Sequence, residues 1–242
     1  MDEQMTFKRY ELKFMLDREQ RSALEKAMAG HLALDAYGRS TIRNLYFDTD
    51  SYRLVRTSIE KPVYKEKLRV RSYHQATEDS EVFVELKKKF ESVVYKRRIC
   101  LPHRAAMDAL ERQAPLPAEG QIAREIACFR QFYGPTLKPA MFLSYEREAY
   151  FPVDGTDFRL TLDENILWRT QGLDLAASCW GRRVIPGDQT LMELKTPGGL
   201  PLWMVRFLSA HKIYQTSFSK YGAAYQQMIS AERMKGAMCY AV

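Results

Sequence analysis

The feature that most constrains this sequence is a period-two alternation in which one face of each predicted strand is charged and mostly basic. Successive side chains of a strand point to opposite faces of a sheet, so an alternating run separates into two faces. Eight runs have this pattern, at residues 7–15, 42–48, 64–73, 82–89, 93–101, 140–150, 157–163 and 190–196. The chain is therefore predicted to be mainly β.

The charged faces consist largely of lysine and arginine, with a few separated acids. They carry Glu11 and Lys13; Lys65, Lys67, Arg69 and Arg71; Glu85, Lys87 and Lys89; Lys96 and Arg98; Arg147; Arg159; and Glu193 and Lys195. For any one strand, the alternative is the solvated face of an antiparallel sheet. For the whole set, so many like charges on facing strands are unfavourable unless an anion neutralises them.

Eight strands are enough to close into a barrel, whose lumen would then hold the basic face. Helical periodicity lies between the strands: one helix follows the capping-box spacing Asp17-x-x-Gln20 and ends near Gly30. Further helices are predicted at 104–112, 121–133, 201–211 and 219–235, and the stretch 171–189 is predicted to be a loop. With no Gly/Ser linker in the sequence, residues 1–242 are predicted to form a single domain.

A basic lumen suits phosphate ligands, because arginine donates to two phosphate oxygens and lysine supplies a mobile charge. The acids Glu11, Glu85 and Glu193 are candidate ligands for Mg²⁺ or Mn²⁺, which take oxygen donors beside substrate phosphates. The alternative is that these glutamates only pair with neighbouring cations.

The composition of the chain limits the classes of ligand and partner that it is expected to bind. The net charge of +7 favours an anionic ligand, but the aromatic side chains lie mostly on the faces opposite the charges, so no nucleic-acid partner is expected. The four cysteines have no metal-binding spacing, and no Walker A motif is present. Without a signal peptide or a long apolar run, the protein is predicted to be soluble and cytoplasmic with no transmembrane segment, while a membrane-protein partner stays open.

The order of the motifs resembles the catalytic domain of the vacuolar transporter chaperone (VTC) family, over residues 6–227. The matching motifs are Glu11-Leu12-Lys13, Arg69-Val70-Arg71, Glu85-Leu86-Lys87, Lys96-x-Arg98, Arg147, Arg159-Leu-Thr-Leu-Asp163, Glu193-Leu194-Lys195 and Phe218-Ser219-Lys220-Tyr221. The resemblance implies an α+β fold of the triphosphate tunnel metalloenzyme type. That fold is an eight-stranded antiparallel β tunnel with helices packed outside and a C-terminal helix near its mouth.

The resemblance also implies roles for individual residues. Catalytic residues carried over from the family motifs or the charged faces are Lys13, Arg69, Arg71, Lys87, Arg147 and Arg159. Phosphate-binding residues, taken from the family motifs or from the charged faces, are Lys67, Lys96, Arg98, Lys195, Ser219 and Lys220. The alternative role of the serine is a helix N-cap. Glu193 resembles the metal-binding glutamate of the family.

One departure separates this chain from other tunnel enzymes. Tunnel triphosphatases carry Glu-x-Glu-x-Lys in the first strand, whereas this chain has Arg9-x-Glu11-x-Lys13. Replacing a metal-binding carboxylate by a cation favours the VTC branch. The chain also lacks the regulatory domain and membrane segments that the resemblance associates with the eukaryotic complexes, so their regulation is not expected here.

The predicted function is that of an ATP-dependent polyphosphate polymerase, a phosphotransferase whose partners are ATP and inorganic polyphosphate and whose cofactor is Mn²⁺ or Mg²⁺. A tunnel triphosphatase or polyphosphatase would use the same residues but let water attack. A module that binds polyphosphate or nucleotide without turnover is the third alternative.

Overall fold

The strands of the protein form one mostly antiparallel sheet. The computed structural model describes residues 10–91, 93–112 and 114–239, with side chains as far as residue 234. The strands are β1 (Tyr10–Leu16), β2 (Leu32–Asp48), β3 (Tyr64–Ser72), β4 (Glu81–Phe90), β5 (Val93–Pro102), β6 (Lys138–Pro152), β7 (Arg159–Arg169), β8 (Arg182–Arg183) and β9 (Thr190–Thr196). The helices are α1 (Arg18–Met28), α2 (Arg53–Ile59), α3 (His103–Glu111), α4 (Gln121–Tyr133), α5 (Leu202–Ala210) and α6 (Lys220–Cys239).

The sheet has the order β1-β9-β7-β6-β2-β3-β4-β5, and the two-residue β8 pairs with β7 outside this path. The eight predicted strands are therefore confirmed, with β8 added. Their pairing differs from the predicted closed barrel in one respect. In the part of the chain that the structure describes, no pairing joins β1 to β5, so the sheet is not closed.

Most predicted boundaries agree with the structure. The capping box at the start of α1 is present, since Asp17 accepts from the Gln20 backbone and the Gln20 side chain accepts from the Asp17 backbone. Strand β2 begins ten residues before the predicted run, and β7 continues six residues beyond it. Helix α2 was not predicted, because it is only 7 residues long. Residues 7–9 of the first predicted run lie outside the described residues.

The chain divides into two compact units. In its described part, unit 1 comprises residues 10–41, 145–166 and 185–218; unit 2 comprises residues 42–144, 167–184 and 219–239. The single domain expected from the sequence stays a prediction. Among the described helices, none is both long and apolar enough to cross a membrane.

Each unit has its own apolar core on the face opposite its charged residues. In unit 1, Phe14 of β1, Leu160 of β7 and Met192 of β9 pack with α1 and α5. In unit 2, Leu68 of β3 and Leu86 of β4 pack with α3 and α4. A fully buried leucine contributes about 1.5 to 3 kcal/mol, so these cores hold the strands firmly enough to fix the charged face.

Candidate functional site

Glu85 is the centre of a cationic cluster in unit 2. The antiparallel register places Arg69 of β3 and Arg98 of β5 directly opposite it. The Glu85 side chain is 1% exposed; Arg69 Nε lies 2.8 Å from Oε2, and Arg98 Nε lies 2.7 Å from Oε1. Lys96 Nζ approaches Oε1 to 2.9 Å and Arg71 Nε approaches Oε2 to 4.0 Å. One carboxylate thus holds four cations, an arrangement we call the Glu85 cluster.

The charges in the Glu85 cluster shift the pKa values of its members. Burial opposes ionisation of Glu85, but the charges of Arg69, Arg71 and Lys96 outweigh burial and hold its pKa far below the ordinary value. For Lys96, burial outweighs the attraction of Glu85 and lowers the pKa to about 8, helped by the charges of Arg98 and Arg71. A single glutamate does not neutralise the cluster, which keeps an excess of positive charge.

Uncharged side chains of β2 support the two β3 arginines. Arg69 Nη1 donates to the Tyr46 hydroxyl at 2.9 Å, and Arg71 Nε donates to Asn44 Oδ1 at 2.9 Å. Tyr46 is buried, which opposes its ionisation, yet the charges of Arg69 and Arg71 lower its pKa. The sequence reasoning missed both β2 residues. They alternate with the buried Leu45 in the same period-two pattern, but they carry no charge to mark them.

The start of α6 contributes a hydroxyl to the same unit. Ser219 Oγ accepts from Lys67 Nζ at 3.1 Å and from the Gly222 backbone N–H at 3.2 Å. The second bond is a helix N-cap, so the alternative role considered for Ser219 is present in the structure. Both acceptor positions of the oxygen are used, and the hydroxyl proton can be donated to an anion.

Asp48 anchors α2 and the start of α6, close in sequence to Ser219. The buried Asp48 carboxylate accepts from the backbone N–H of Leu54 at 2.8 Å and of Val55 at 3.0 Å, and from the Tyr221 hydroxyl at 2.9 Å. Burial raises the pKa of Asp48 despite these bonds. The Tyr221 ring stacks on Tyr46, with centroids 4.4 Å apart. Helix α6 is therefore fixed against the tyrosine that supports Arg69.

Unit 1 contains a second cluster, with more carboxylates than cations. Arg147 of β6 binds Asp163 of β7 through two bonds of 2.6 Å, and its Nη2 lies 3.3 Å from Glu193 Oε2. Lys13 Nζ lies 3.4 Å from Glu193 Oε1 and 3.3 Å from Glu11 Oε1. Burial opposes the charge of Arg147, but Asp163 outweighs burial and raises the Arg147 pKa. We call this group the Glu193 cluster.

Thr161 adds an unsatisfied hydroxyl to the Glu193 cluster. It lies directly opposite Glu193 in the β7–β9 register and therefore points to the same face of the sheet. Its Oγ1 is buried and has no hydrogen-bond partner among the described residues. A buried polar atom without a partner is unfavourable, so this position favours a ligand that the oxygen can contact.

Other predicted residues lie further along the strands. The Arg159 side chain is 46% exposed, with its guanidinium 5.0 Å from the Phe151 ring centroid and 4.0 Å from Asp157. Lys195 is opposite both Glu11 and Arg159 in the register. Lys87 lies opposite Lys67 and Lys96, beyond the Glu85 cluster on the same face.

A further ionic network in unit 1 lies on the face of β6 opposite Arg147. Arg21 of α1 binds Glu148 at 2.7 Å. Arg39 of β2 binds Glu146 and also binds Glu164, the latter at 2.9 Å. Despite opposing burial, hydrogen bonds from Thr190 and Arg39 lower the pKa of Glu164. These acids are matched by arginines that tie α1 and β2 to β6 and β7, so the network is structural.

Comparison with known protein families matched the VTC domain over residues 8–229. The chain belongs to the VTC domain family. The resemblance expected from the motif order is therefore confirmed. A sequence comparison with curated proteins found no match.

Solved structures similar to this VTC domain show its fold. A candidate adenylate cyclase from Bacillus halodurans has a TM-score of 0.55 at 17% identity, covering 89% of this chain and 94% of that chain. A candidate adenylyl cyclase from Hippeastrum, described as having a dominant triphosphatase activity, has a TM-score of 0.57 at 18% identity, covering 90% and 95%. The predicted fold of the triphosphate tunnel type is confirmed by this likeness.

Among the residues that the structure describes, the candidate oxygen donors for a divalent metal lie in unit 1 of this VTC domain. Glu11, Glu193 and the Thr161 hydroxyl supply oxygen donors, as Mg²⁺ and Mn²⁺ require. Among the described residues, no three His, Cys, Asp or Glu side chains are arranged to hold a metal without further ligands. The donor set therefore fits an ion that takes most of its ligands from phosphate and water.

Nine of the fifteen sequence-predicted site residues form two groups in this VTC domain. Arg69, Arg71, Lys96 and Arg98 gather around Glu85, whereas Lys13, Arg147 and Glu11 gather around Glu193. A metal-binding role for Glu85 stays a prediction that four neighbouring cations disfavour. Arg9, the residue that departs from the triphosphatase motif, lies outside the described residues.

Proposed function

We propose that this VTC domain is a polyphosphate polymerase that transfers the γ-phosphoryl group of ATP onto a growing polyphosphate chain. The VTC family and the tunnel-type fold support an enzyme that acts on triphosphate or polyphosphate. The observation that carries the proposal is the Glu85 cluster, in which four cations share one buried carboxylate. Such an excess of charge suits a ligand with several adjacent anionic groups.

Arg69, Arg71, Lys96 and Arg98 bind phosphate oxygens in this proposal. Two of the arginines are already fixed by hydrogen bonds to Tyr46 and Asn44, so little ordering is needed when phosphate binds. Each charge-assisted bond contributes about 1.5 to 3 kcal/mol before desolvation is subtracted. Lys67, Lys87, Ser219 and Lys220 extend the phosphate-binding surface of unit 2.

The transfer itself needs alignment and charge neutralisation more than covalent help from the protein. An oxygen at the end of the polyphosphate chain forms a bond to the γ-phosphorus as the bond between that phosphorus and the β–γ bridging oxygen breaks. The bridging oxygen leaves with the electron pair as part of ADP. The arginines of the Glu85 cluster stabilise the negative charge of the phosphoryl group during transfer.

Lys13, Arg147, Arg159 and Lys195 are assigned to further phosphate contacts, and Glu11 and Glu193 to holding Mn²⁺ or Mg²⁺. A bound divalent ion would neutralise phosphate charge and orient the phosphoryl oxygens. Arg147 holds the Glu193 carboxylate in place through its 3.3 Å contact. We assign this activity to the cytoplasm, where the free thiols Cys100, Cys128 and Cys179 would stay reduced.

The test is incubation of the purified protein with ATP and Mn²⁺, followed by separation of the phosphate products by chain length. The proposal predicts a ladder of polyphosphate together with ADP. Arg69→Ala removes a contact to transferred phosphate and Glu193→Gln removes a metal-binding charge, so each variant is expected to lose at least about 100-fold in rate.

Matched controls separate these effects from changes in folding. Arg97→Gln removes a cation from the other face of β5, where Arg97 pairs with Glu125 at 3.2 Å, and should leave the ladder intact. Glu81→Gln removes an exposed acid from β4. A ladder that survives Arg69→Ala would contradict the proposal. Orthophosphate as the sole product would indicate the triphosphatase alternative, and binding without product would indicate a sensing module.

A further inference from the structure

We propose that Tyr73 of unit 2 is a phosphoryl acceptor, whose phenol oxygen takes the first γ-phosphoryl group from ATP and so starts a polyphosphate chain on the protein itself. The inference rests on the proposed function, since ATP is the phosphoryl donor, and it specifies the first acceptor. A polymerase that elongates a chain must begin on some other oxygen nucleophile when no chain is present. Tyr73 directly follows β3 and is not among the site residues predicted from the sequence.

The phenol oxygen of Tyr73 lies at the edge of the Glu85 cluster. Arg98 Nη2 donates to this oxygen at 3.1 Å, while Nε of the same guanidinium donates to Glu85 Oε1 at 2.7 Å. The Tyr73 ring contacts Phe83 edge-on, with centroids 5.6 Å apart, and the Arg98 guanidinium lies over the Phe83 ring at 4.3 Å. The ring contact and the hydrogen bond fix the phenol oxygen. A phosphoryl group bound by Arg98 would lie beside this oxygen, as a direct transfer requires.

The neighbouring cations make this phenol a better nucleophile than an ordinary tyrosine. Burial opposes ionisation of Tyr73, but the hydrogen bond from Arg98 and the charges of Arg71 and Arg98 outweigh burial and lower the pKa. The phenolate form is therefore more populated near neutral pH than it is in an exposed tyrosine. A lowered pKa is one of the ways in which proteins activate a nucleophile.

Tyr46 is the contrasting case in the same cluster. Its hydroxyl also accepts from an arginine, Arg69, at 2.9 Å. The Tyr46 side chain, however, is only 7% exposed and stacks on Tyr221. Tyr73 is half-buried, so its oxygen remains accessible to a phosphate ligand. Tyr46 therefore supports Arg69, whereas Tyr73 is placed to react.

In the transfer step, the Tyr73 phenol oxygen forms a bond to the γ-phosphorus of ATP as the bond between that phosphorus and the β–γ bridging oxygen breaks. The bridging oxygen leaves with the electron pair as part of ADP, and the phenol proton passes to solvent. Arg71 and Arg98 neutralise the charge of the phosphoryl group during transfer. The products are ADP and a phosphate monoester of Tyr73, whose phosphate oxygen accepts the next γ-phosphoryl group.

The experiment follows the γ-phosphate of labelled ATP in the full chain, with Mn²⁺ and without added polyphosphate. The protein is separated from small molecules under denaturing conditions, and peptide mass spectrometry locates the bound phosphate. We expect label in the protein, at Tyr73. Tyr73→Phe should reduce this label at least about tenfold, because the nucleophilic oxygen is absent. The control Tyr95→Phe removes an exposed hydroxyl from β5 and should keep the label.

A second readout separates a phosphoryl acceptor from a residue that only positions Arg98. With ATP alone, Tyr73→Phe should start chains at least about tenfold more slowly than the wild type. Tripolyphosphate supplied as an alternative acceptor should restore most of this difference, because it bypasses the missing oxygen. Equal losses with and without tripolyphosphate would indicate a positioning role and overturn the acceptor role.

The possible results distinguish this inference from the proposed function. A polyphosphate ladder made by wild-type protein that carries no label, or label on Ser219 in place of Tyr73, would overturn the acceptor role and leave the proposed function standing. Label on Tyr73 without a ladder would support the acceptor role and contradict the polymerase. Neither label nor ladder would overturn both.

Discussion

Glu85 is the residue on which the charge balance of unit 2 depends. Glu85→Gln keeps the shape of the side chain but leaves four cations facing a neutral amide. We expect the variant to lose about 3 kcal/mol of unfolding free energy, because removing one partner of a buried ion pair leaves the other charges uncompensated. Tripolyphosphate should restore much of this loss by binding only the folded protein. Urea denaturation with and without tripolyphosphate measures both effects.

The control for this prediction is Glu81→Gln, an exposed acid on the same strand. It should change the unfolding free energy by less than about 0.5 kcal/mol, as most surface substitutions do. If Glu85→Gln were as stable as this control without ligand, the Glu85 carboxylate would not hold the cluster together.

Lys96 gives the cluster a dependence on pH. Its pKa falls from the ordinary 10.5 to about 8 in the folded protein, so its charge is lost as the pH rises through 8. Affinity for tripolyphosphate should therefore fall by about threefold between pH 7 and 9, a modest change because the side chain is 44% exposed. Lys96→Gln should bind tripolyphosphate more weakly at pH 7. The pH dependence that remains in this variant measures the contribution of titration of the phosphate ligand.

The stability of the unliganded protein should change in the opposite direction. Between pH 8 and 10.5 the unfolded chain keeps the Lys96 proton that the folded chain releases, so this residue makes stability rise with pH. Denaturation curves at three pH values for the wild type and Lys96→Gln isolate this contribution. An identical pH dependence in the two proteins would contradict the assigned pKa shift.

At the scale of secondary-structure elements, the Asp48–Tyr221 bond fixes α6. Tyr221→Phe removes the hydroxyl that donates to Asp48 and should cost about 1 kcal/mol of unfolding free energy, the usual net contribution of a hydrogen bond. Because Ser219 lies two residues earlier, we also expect weaker tripolyphosphate binding. The control is Tyr225→Phe on the same helix. Equal binding by the two variants would show that this bond does not position Ser219.

The elements were predictable where local patterns decide them. Strands β3, β4 and β5 follow the period-two pattern closely, and α4 begins and ends where its periodicity predicts. The 7-residue α2 was missed because its capping group, Asp48, precedes the helix by five residues and bonds to backbone N–H groups across a turn. Such a cap depends on tertiary position, which propensity does not encode.

The cationic residues of the site were predictable because the solvated face of a sheet usually mixes charged and uncharged polar residues, whereas these faces are mostly lysine and arginine. The residues that contact these cations could not be predicted. Tyr46, Asn44 and Thr161 are uncharged polar residues, and only the register shows that they lie beside Arg69, Arg71 and Glu193. Glu85 contacts four cations, which disfavour a metal-binding role, whereas Glu193 is assigned to holding a metal. This difference likewise depends on neighbours contributed by other strands.

At the scale of the whole molecule, strand number was predictable and strand order was not. The eight alternating runs are present, but the pairing of β1 with β9, and of β2 with β3, joins segments separated by very different lengths of chain. Sheet closure depends on the edge strands β1 and β5, and no local pattern specifies it. Membership of the VTC family came from the order of the motifs along the whole chain.

The central claim is that the γ-phosphoryl group of ATP goes to a polyphosphate chain and not to water. The most direct measurement is the ratio of ADP to free orthophosphate formed with Mn²⁺. Transfer to a chain predicts far more ADP than orthophosphate, with the missing phosphate recovered as polyphosphate. Equal amounts of ADP and orthophosphate would contradict the account and identify the protein as a hydrolase.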